Sequence, residues 1–198
     1  MNYLAHAFLS FEHPSILVGN MISDYVKGSA QYSYPIPILA GIKLHRAIDA
    51  FTDTHAATQQ IKALYKPTYR LYAGAFADVV YDYFLANDVT QFNTEHDLFM
   101  FTQQTYTSLE KNTAHFPERF SKMFPYMQQQ NWLYHYRFDD GMQKSFGGLA
   151  RRAAYINETD TAFEIFLQNK ATIQQCYDAF FNEIKTFAFH QMHLLLKN

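Results

Sequence analysis

The sequence predicts an all-α fold built as one helical domain over residues 1–198. Apolar residues recur at helical spacing along most of the chain, and no segment shows the strict polar–apolar alternation that is typical of strands. The 198 residues are 48% hydrophobic, which is enough for a full core, and neither an internal repeat nor a linker divides the chain.

The elements of the first part begin and end at recognisable residues. Residues 2–11 are predicted to form a short apolar helix. Pro14 suits the first turn of a second helix, which runs to about residue 26 and is ended by Gly28. A turn that contains two prolines precedes a third helix, which is predicted over residues 38–54.

The rest of the chain has similar helix signals. Pro67 is expected to open a helix, Asn93 or Thr94 to cap another, and the Gly147-Gly148 pair to weaken a third. The helices predicted after residue 54 cover residues 58–65, 68–87, 95–112, 117–124, 126–137, 139–152 and 159–197.

Composition excludes several classes of function. The formal net charge is -2 and the pI is about 6.5, so nothing indicates a nucleic-acid binder. Cys176 is the only cysteine, which excludes a disulfide framework and fits a reducing, cytoplasmic setting. The N-terminal residues lack the pattern of a signal peptide, and no stretch approaches the ~18 apolar residues needed to span a membrane.

One segment carries ionisable residues on a single helical face. His45, Asp49 and Asp53 are spaced four residues apart, so an α-helix places them on one strip. Ile48 and Phe51 lie between them, and ionisable groups among core residues are costly unless they are paired or bind a metal. Imidazole and carboxylate together suit Mn, Fe, Zn or Mg. The pattern indicates either a divalent-metal site or a buried histidine that is satisfied by a neighbouring aspartate.

Two further pairs repeat the four-residue spacing among apolar residues. They are Asp78 with Asp82 and Asn20 with Asp24. Buried carboxylates raise each other's pKa unless a cation lies between them, so facing helices could share a metal. The simpler interpretation is that these aspartates cap helix ends or pair with a basic residue such as Arg70.

Two further histidines, His6 and His96, lie outside these spaced pairs. His6, with Asn2 one turn earlier, lies on an apolar N-terminal helix, where a histidine is more often a satisfied core residue than a ligand. His96-Asp97 is the only adjacent His-Asp pair, the dipeptide that names the HD phosphohydrolases. It falls in the first turn of a predicted helix, where the helix dipole favours acidic residues, so we interpret it as a helix-start signal.

Basic residues are modestly concentrated in one part of the chain. Either they are ordinary solvated surface, or they contact a phosphate or an anionic partner. They are Arg137, Lys144, Arg151 and Arg152.

Five segments together resemble a known family. They are MNYLAH (1–6), GNMISDYVKG (19–28), GIKLHRAIDAFTD (41–53), DVVYDYFL (78–85) and GLARR (148–152). In sequence and order they resemble the acyl carrier protein phosphodiesterases, also called holo-ACP hydrolases, and the overall length also matches. The C-terminal helix is similar mainly in pattern, and Tyr83 stands where relatives can carry histidine.

The resemblance implies an HD-domain-like helical bundle that hydrolyses a phosphodiester. Such enzymes remove the 4′-phosphopantetheine arm from a serine of holo-acyl carrier protein, a step linked to fatty acid synthesis. They need a divalent metal, typically Mn²⁺, with Mg²⁺, Fe²⁺ and Zn²⁺ as alternatives. The carrier protein partner is expected to be acidic, which would give the basic residues a docking role.

The resemblance also implies site residues, motif by motif. It implies metal ligation by Asp24, His45, Asp49 and Asp78. It implies catalytic roles for His6, Asn20, Asp53 and Asp82. The serine released by such a reaction must accept a proton, so His6 is a candidate general acid. It implies substrate contacts through Asn2, Arg46, Arg151 and Arg152.

Two other functional classes fit the same residues. One is an HD-type hydrolase of small nucleotides or other phosphodiesters, which would not need a basic docking face. The other is a non-catalytic helical protein in which buried histidines and aspartates only pair with each other. The sequence does not indicate an oligomeric state.

Overall fold

The computed structural model describes residues 1–197, and this range contains α-helices and short 3-10 turns but no strand. The predicted all-α fold class is confirmed. The α-helices are α1 (Tyr3–Phe8), α2 (Pro14–Ile22), α3 (Ile36–Thr54), α4 (Ala56–Tyr69), α5 (Ala73–Ala86), α6 (Glu95–Glu110), α7 (Glu118–Gln129), α8 (Trp132–His135), α9 (Asp139–Ala150), α10 (Asp160–Gln168) and α11 (Lys170–Lys197). Within the described range, no helix combines the length and the hydrophobicity needed to cross a membrane.

Two prolines lie inside helices where the sequence predicts a helix start or a break. Pro67 is near the end of α4, and Pro125 is within α7. Proline lacks an amide hydrogen and crowds the carbonyl group four residues earlier. Packing offsets that cost, because Tyr65 and Tyr69 on either side of Pro67 are buried in the core. The break in the chain comes instead at Arg70, whose φ is +48°.

The core surrounds α5, which is buried along most of its length. Tyr81 of α5 stacks on Phe180 of α11, with 4.5 Å between ring centroids, and its hydroxyl is hydrogen-bonded to Thr58 of α4 at 2.8 Å. Aromatic pairs of this kind stabilise a core beyond the burial of their area. The high aromatic content of the chain therefore serves packing, and α11 completes the core against α3, α4 and α5.

Helices α2 and α3 approach until their backbones are in contact. A Cβ atom on Gly19 would overlap the carbonyl oxygen of Ile38, and one on Gly41 would overlap that of Ile16. No side chain fits between the helices at this crossing. The close approach brings His45 of α3 against the last turn of α2.

The N-terminus of α1 is held by Asp82 of α5. The Asp82 carboxylate accepts backbone N–H hydrogen bonds from Asn2 (3.3 Å), Leu4 (2.7 Å) and Ala5 (3.2 Å). The Asn2 side chain accepts a further one from the Tyr3 amide at 3.0 Å. These bonds satisfy the amide groups that a helix leaves unpaired at its start. Asp82 is fully buried, so the structure favours a helix-capping role over the predicted catalytic role.

The glycine crossing leads to a stability prediction. Gly41→Ala should lower the free energy of unfolding by about 3 kcal/mol, because the added methyl group meets backbone atoms that cannot move aside. Gly147→Ala is the matched control. Its Cβ would have only the Arg151 side chain nearby, at 3.7 Å, so it should be neutral or stabilising by up to about 1 kcal/mol. Chemical denaturation measures both values, and equal stability of the two variants would contradict the close approach.

Candidate metal centre

Three side chains from α1 and α3 converge beside the crossing of α2 and α3. They are His6, His45 and Asp49, and one ligand atom from each lies within 4.8 Å of the others. Asp49 Oδ1 is 3.2 Å from His6 Nε2, and Asp49 Oδ2 is 3.1 Å from His45 Nε2. The two imidazole rings stack, with 3.9 Å between centroids and 16° between planes. Both Nε2 atoms therefore face the same carboxylate.

Asn20 of α2 orients both imidazoles. Its side-chain Oδ1 accepts a hydrogen bond from His6 Nδ1 at 2.8 Å, and its backbone carbonyl accepts one from His45 Nδ1 at 2.7 Å. The Asn20 amide nitrogen donates to the His6 carbonyl and to Ser10 Oγ, which identifies Oδ1 as the acceptor. Nδ1 carries the proton in each ring, so Nε2 is the atom left for a metal.

Burial and charge set the protonation of the centre. Burial, together with the charge of His45, lowers the pKa of His6 to about 4. Burial also acts to lower the pKa of His45, but hydrogen bonds to Asp24 and Asp49 outweigh it and raise that pKa to about 9. Burial acts to raise the pKa of Asp49, whereas the hydrogen bond from the His45 imidazolium and the positive charge of the Met1 amino group hold it well below its usual range. At neutral pH, His6 is therefore neutral and His45 holds a proton on Nε2.

The donor set fits a divalent transition metal. His6 Nε2 is buried and has no hydrogen-bond partner among residues 1–197, although Asp49 lies within ion-pair distance. A buried polar atom without a partner is costly unless a ligand pairs with it. Two imidazoles and one carboxylate suit Mn²⁺, Fe²⁺ or Zn²⁺, whereas Mg²⁺ prefers a shell of oxygen atoms.

Asp24 lies at the solvent side of this centre. Its Oδ1 is 3.2 Å from His45 Nε2, and its side chain is 70% exposed. The hydrogen bond with His45 lowers the pKa of Asp24, so the carboxylate is charged at neutral pH. Of the other predicted ligands, Asp24 is therefore placed to complete a coordination shell or to contact a bound water.

Two further predicted residues lie outside this group of donor atoms. Asp78 Oδ1 is 2.9 Å from the amino group of Met1, which is also 3.5 Å from Asp49 Oδ1. A positive charge thus separates the two carboxylates. Asp53 forms an ion pair with Lys62 at 2.7 Å and is exposed. Eight residues of α-helix span about 12 Å, which carries Asp53 too far from His45 to share its metal.

The structure also changes the roles expected for two buried residues. His6 has its Nδ1 proton committed to Asn20 and carries no proton on Nε2 at neutral pH, which disfavours the predicted general-acid role and favours ligation. Asn20 is fully buried with its polar atoms paired, so it positions the histidines rather than contacting a substrate.

The predicted substrate contacts have different surroundings. Arg46 donates to the Gln31 side chain at 2.7 Å and to the Val26 carbonyl at 3.1 Å, and thereby holds the segment after α2. Asn2 caps α1. Arg151 and Arg152 are exposed after the end of α9. Arg46 and Asn2 thus have structural tasks, and the roles of the two later arginines stay predictions.

The contacts of His96-Asp97 and of Tyr83 show structural roles for these residues. The His96-Asp97 pair is a helix-start signal, as interpreted, because Asp97 and Thr94 form a reciprocal capping box at the start of α6. Tyr83 packs on Phe166, with 4.9 Å between ring centroids, and lies beneath Lys170.

Sequence reasoning missed the residues that flank the centre. Tyr3 and Tyr25 share a hydroxyl–hydroxyl hydrogen bond of 2.7 Å, and Tyr25 directly follows Asp24 in the chain. In the sequence, only its position next to Asp24 indicates that Tyr25 lies near the centre. No local pattern pointed to Tyr3, whose partner is 22 residues away.

Comparisons with known proteins identify the same family that the five sequence segments resemble. A family model described as acyl carrier protein phosphodiesterase matches residues 1–184. Relatives that carry that same name include the following three proteins. One from Photorhabdus laumondii is 29% identical over 91% of each chain. One from Yersinia pestis is 28% identical over 96% of this chain and 99% of its own. One from Pectobacterium atrosepticum is 34% identical over 69% of this chain and 70% of its own. No solved structure matches the chain.

The protonation of the centre predicts how metal affinity depends on pH. Mn²⁺ should bind about tenfold more tightly for each pH unit gained between pH 6 and 8, because each ion displaces one proton from His45. His6, with a pKa near 4, adds nothing in this range. Calorimetric titration of metal-free protein measures the slope. The variant His45→Ala should lose most of the affinity together with the slope. A wild-type affinity that does not change with pH would argue against His45 as a ligand.

Proposed function

The chain belongs to the acyl carrier protein phosphodiesterase family, and we propose that it removes the 4′-phosphopantetheine arm from holo-acyl carrier protein in a metal-dependent reaction. Water attacks the phosphorus atom, the bond to the serine oxygen breaks, and that oxygen takes up a proton. The products are the apo-carrier protein and 4′-phosphopantetheine. One observation carries the proposal: His6, His45 and Asp49 converge while Asn20 holds both Nδ1 atoms.

Three side chains would hold the metal, through His6 Nε2, His45 Nε2 and the Asp49 carboxylate. When bound, a divalent ion lowers the pKa of a coordinated water and neutralises charge on the non-bridging phosphate oxygens. We expect Mn²⁺, because the family resemblance implies it and because the mixed nitrogen and oxygen donors suit it. Fe²⁺ and Zn²⁺ fit the same donors.

The chain's own residues orient the reactants beside the proposed metal position. Asp24 is mostly exposed, and its carboxylate can accept a hydrogen bond from the attacking water and so align it. His6 carries no Nε2 proton, so the proton for the serine oxygen comes from another group or from water. The buried imidazoles need no reorganisation, because Asn20 already fixes them.

The accessibility of the centre favours a protein substrate. The imidazoles are buried, whereas the Asp49 side chain is 39% exposed and that of Asp24 is 70% exposed. A phosphodiester on the surface of a folded protein can reach carboxylates in such a position without entering a deep pocket. We place the reaction in the cytoplasm, because the single, buried thiol of Cys176 fits a reducing compartment.

Mass spectrometry of a purified carrier protein tests the proposed function. Incubation of the holo form with the enzyme and Mn²⁺ should convert it to the apo form. His45→Ala and Asp49→Ala should each lower the rate by more than about a hundredfold, because each removes a metal ligand. His190→Ala, which changes an exposed histidine on α11, is the control and should keep the wild-type rate.

The other functional classes give different results in the same assay. Hydrolysis of bis(p-nitrophenyl) phosphate with no change in the holo-carrier protein would indicate an enzyme for small phosphodiesters. Absence of both activities, with no bound metal, would indicate a non-catalytic protein.

A further inference from the structure

A second polar surface lies next to the metal centre. The end of α4 and the start of α5 form an open cavity of about 450 Å³. The side chains that matter most in its wall are Asp53, Lys62, Lys66, Arg70, Leu71 and Asp78. Three of these six are cations, and none of the three had a predicted role in function.

The cavity carries an excess of positive charge. Lys62 is paired with Asp53 at 2.7 Å, and Asp78 is paired with the Met1 amino group at 2.9 Å. Among residues 1–197, no carboxylate forms an ion pair with Lys66 or Arg70. The N-terminal turn of α5 lines the same cavity and adds the positive end of the helix dipole. The two unpaired cations therefore attract an anionic partner.

An apolar side chain stands among these cations. Leu71 is 98% exposed, the highest value among the exposed large hydrophobic residues of the described chain. It follows Arg70, whose left-handed φ of +48° turns the chain between α4 and α5. Scattered exposed leucines are common, but this one lies at the rim of a cationic cavity. A partner that matches it would bring an apolar residue together with acidic ones.

The cavity lies next to the candidate metal centre, and a chain of ion pairs links the two. Asp78 forms part of its wall and contacts the Met1 amino group, which in turn lies 3.5 Å from the Asp49 carboxylate. Asp53, which also lines the cavity, is one helical turn beyond Asp49 on α3. A partner bound over the cavity would thus hold its phosphodiester beside the ligands.

We propose that Lys66, Arg70 and Leu71 form a docking surface for an acidic protein segment next to the phosphodiester-bearing serine. The inference rests on the proposed function, because it supplies the protein part of that substrate. It assigns docking to the α4–α5 junction rather than to the basic residues near 137–152. Two of those are already paired, Arg137 with Glu95 at 2.9 Å and Lys144 with Asp140 at 2.9 Å.

Charge reversal at the cavity tests the docking surface. Lys66→Glu should lower kcat/KM on holo-carrier protein about tenfold or more at low salt and less at high salt, because screening weakens attraction between charged surfaces. Leu71→Ser should weaken binding of the apo-carrier protein at both salt concentrations. Hydrolysis of bis(p-nitrophenyl) phosphate should stay within about twofold of wild type in both variants, because neither change touches a metal ligand. Lys144→Glu is the matched control and should behave as wild type.

Each alternative outcome is distinct. Wild-type rates and binding for Lys66→Glu and Leu71→Ser would overturn the docking surface while leaving the proposed function intact. Equal loss on the protein and on the small substrate would also overturn it, since the residues would then act in catalysis. Failure of the wild-type enzyme to act on holo-carrier protein would count against the proposed function. Titration with the apo-carrier protein would still test docking, because Lys66→Glu should bind it more weakly than wild type.

Discussion

The contact between the backbones of α2 and α3 is the constraint on which the candidate metal centre depends. Gly19 and Gly41 leave no Cβ between the helices, so the imidazole of His45 reaches the backbone carbonyl of Asn20 at 2.7 Å. That carbonyl lies in the last turn of α2, where helical carbonyls lack intrahelical partners and can accept other hydrogen bonds. A larger separation between α2 and α3 would break this hydrogen bond and leave the His45 side chain free to rotate. The orientation of the proposed ligand His45 thus depends on two residues that have no side chain.

Two buried polar side chains, Asp82 and Asn20, also position the residues of the candidate centre. Asp82 and Asn20 are each fully enclosed, which would cost several kcal/mol for an unpaired group. Each is instead paired on several sides: Asp82 with three amides of α1, and Asn20 with His6 and Ser10. Asp82 fixes where α1 begins, and Asn20 fixes how the imidazole on α1 turns. Together they position His6 beside the other two proposed ligands, which lie on α3.

Local patterns in the sequence predict the part of the site that lies on one helix. The spacing of His45 and Asp49 places both on one face of α3, and the structure brings both to the centre. Asp53 continues that spacing but leaves the centre, because each turn moves about 5.4 Å along the axis. His6 is 39 residues from His45, so only the fold, or the family resemblance, could join them. Periodicity likewise predicts α-helices, but it cannot show that buried tyrosines keep Pro67 inside one of them.

The functions of aspartates were the least predictable feature, because burial and partners decide them. Asp49 and Asp82 both lie among apolar residues in the sequence, yet one faces two imidazoles and the other faces helix amides. Asp78 instead pairs with the amino group of Met1. The surface cations at the α4–α5 junction are similarly dispersed in the sequence, and folding gathers them around one cavity. Such groupings depend on contacts between helices and not on spacing along one of them.

Anomalous diffraction from crystals grown with Mn²⁺ tests whether these three side chains bind a metal. A metal held as proposed should give one strong peak about 2 Å from His6 Nε2, from His45 Nε2 and from a carboxylate oxygen of Asp49. Asn20 should keep its hydrogen bonds to both imidazoles in that structure. A strong peak elsewhere, or none between these three side chains in crystals of active protein, would contradict the proposed site.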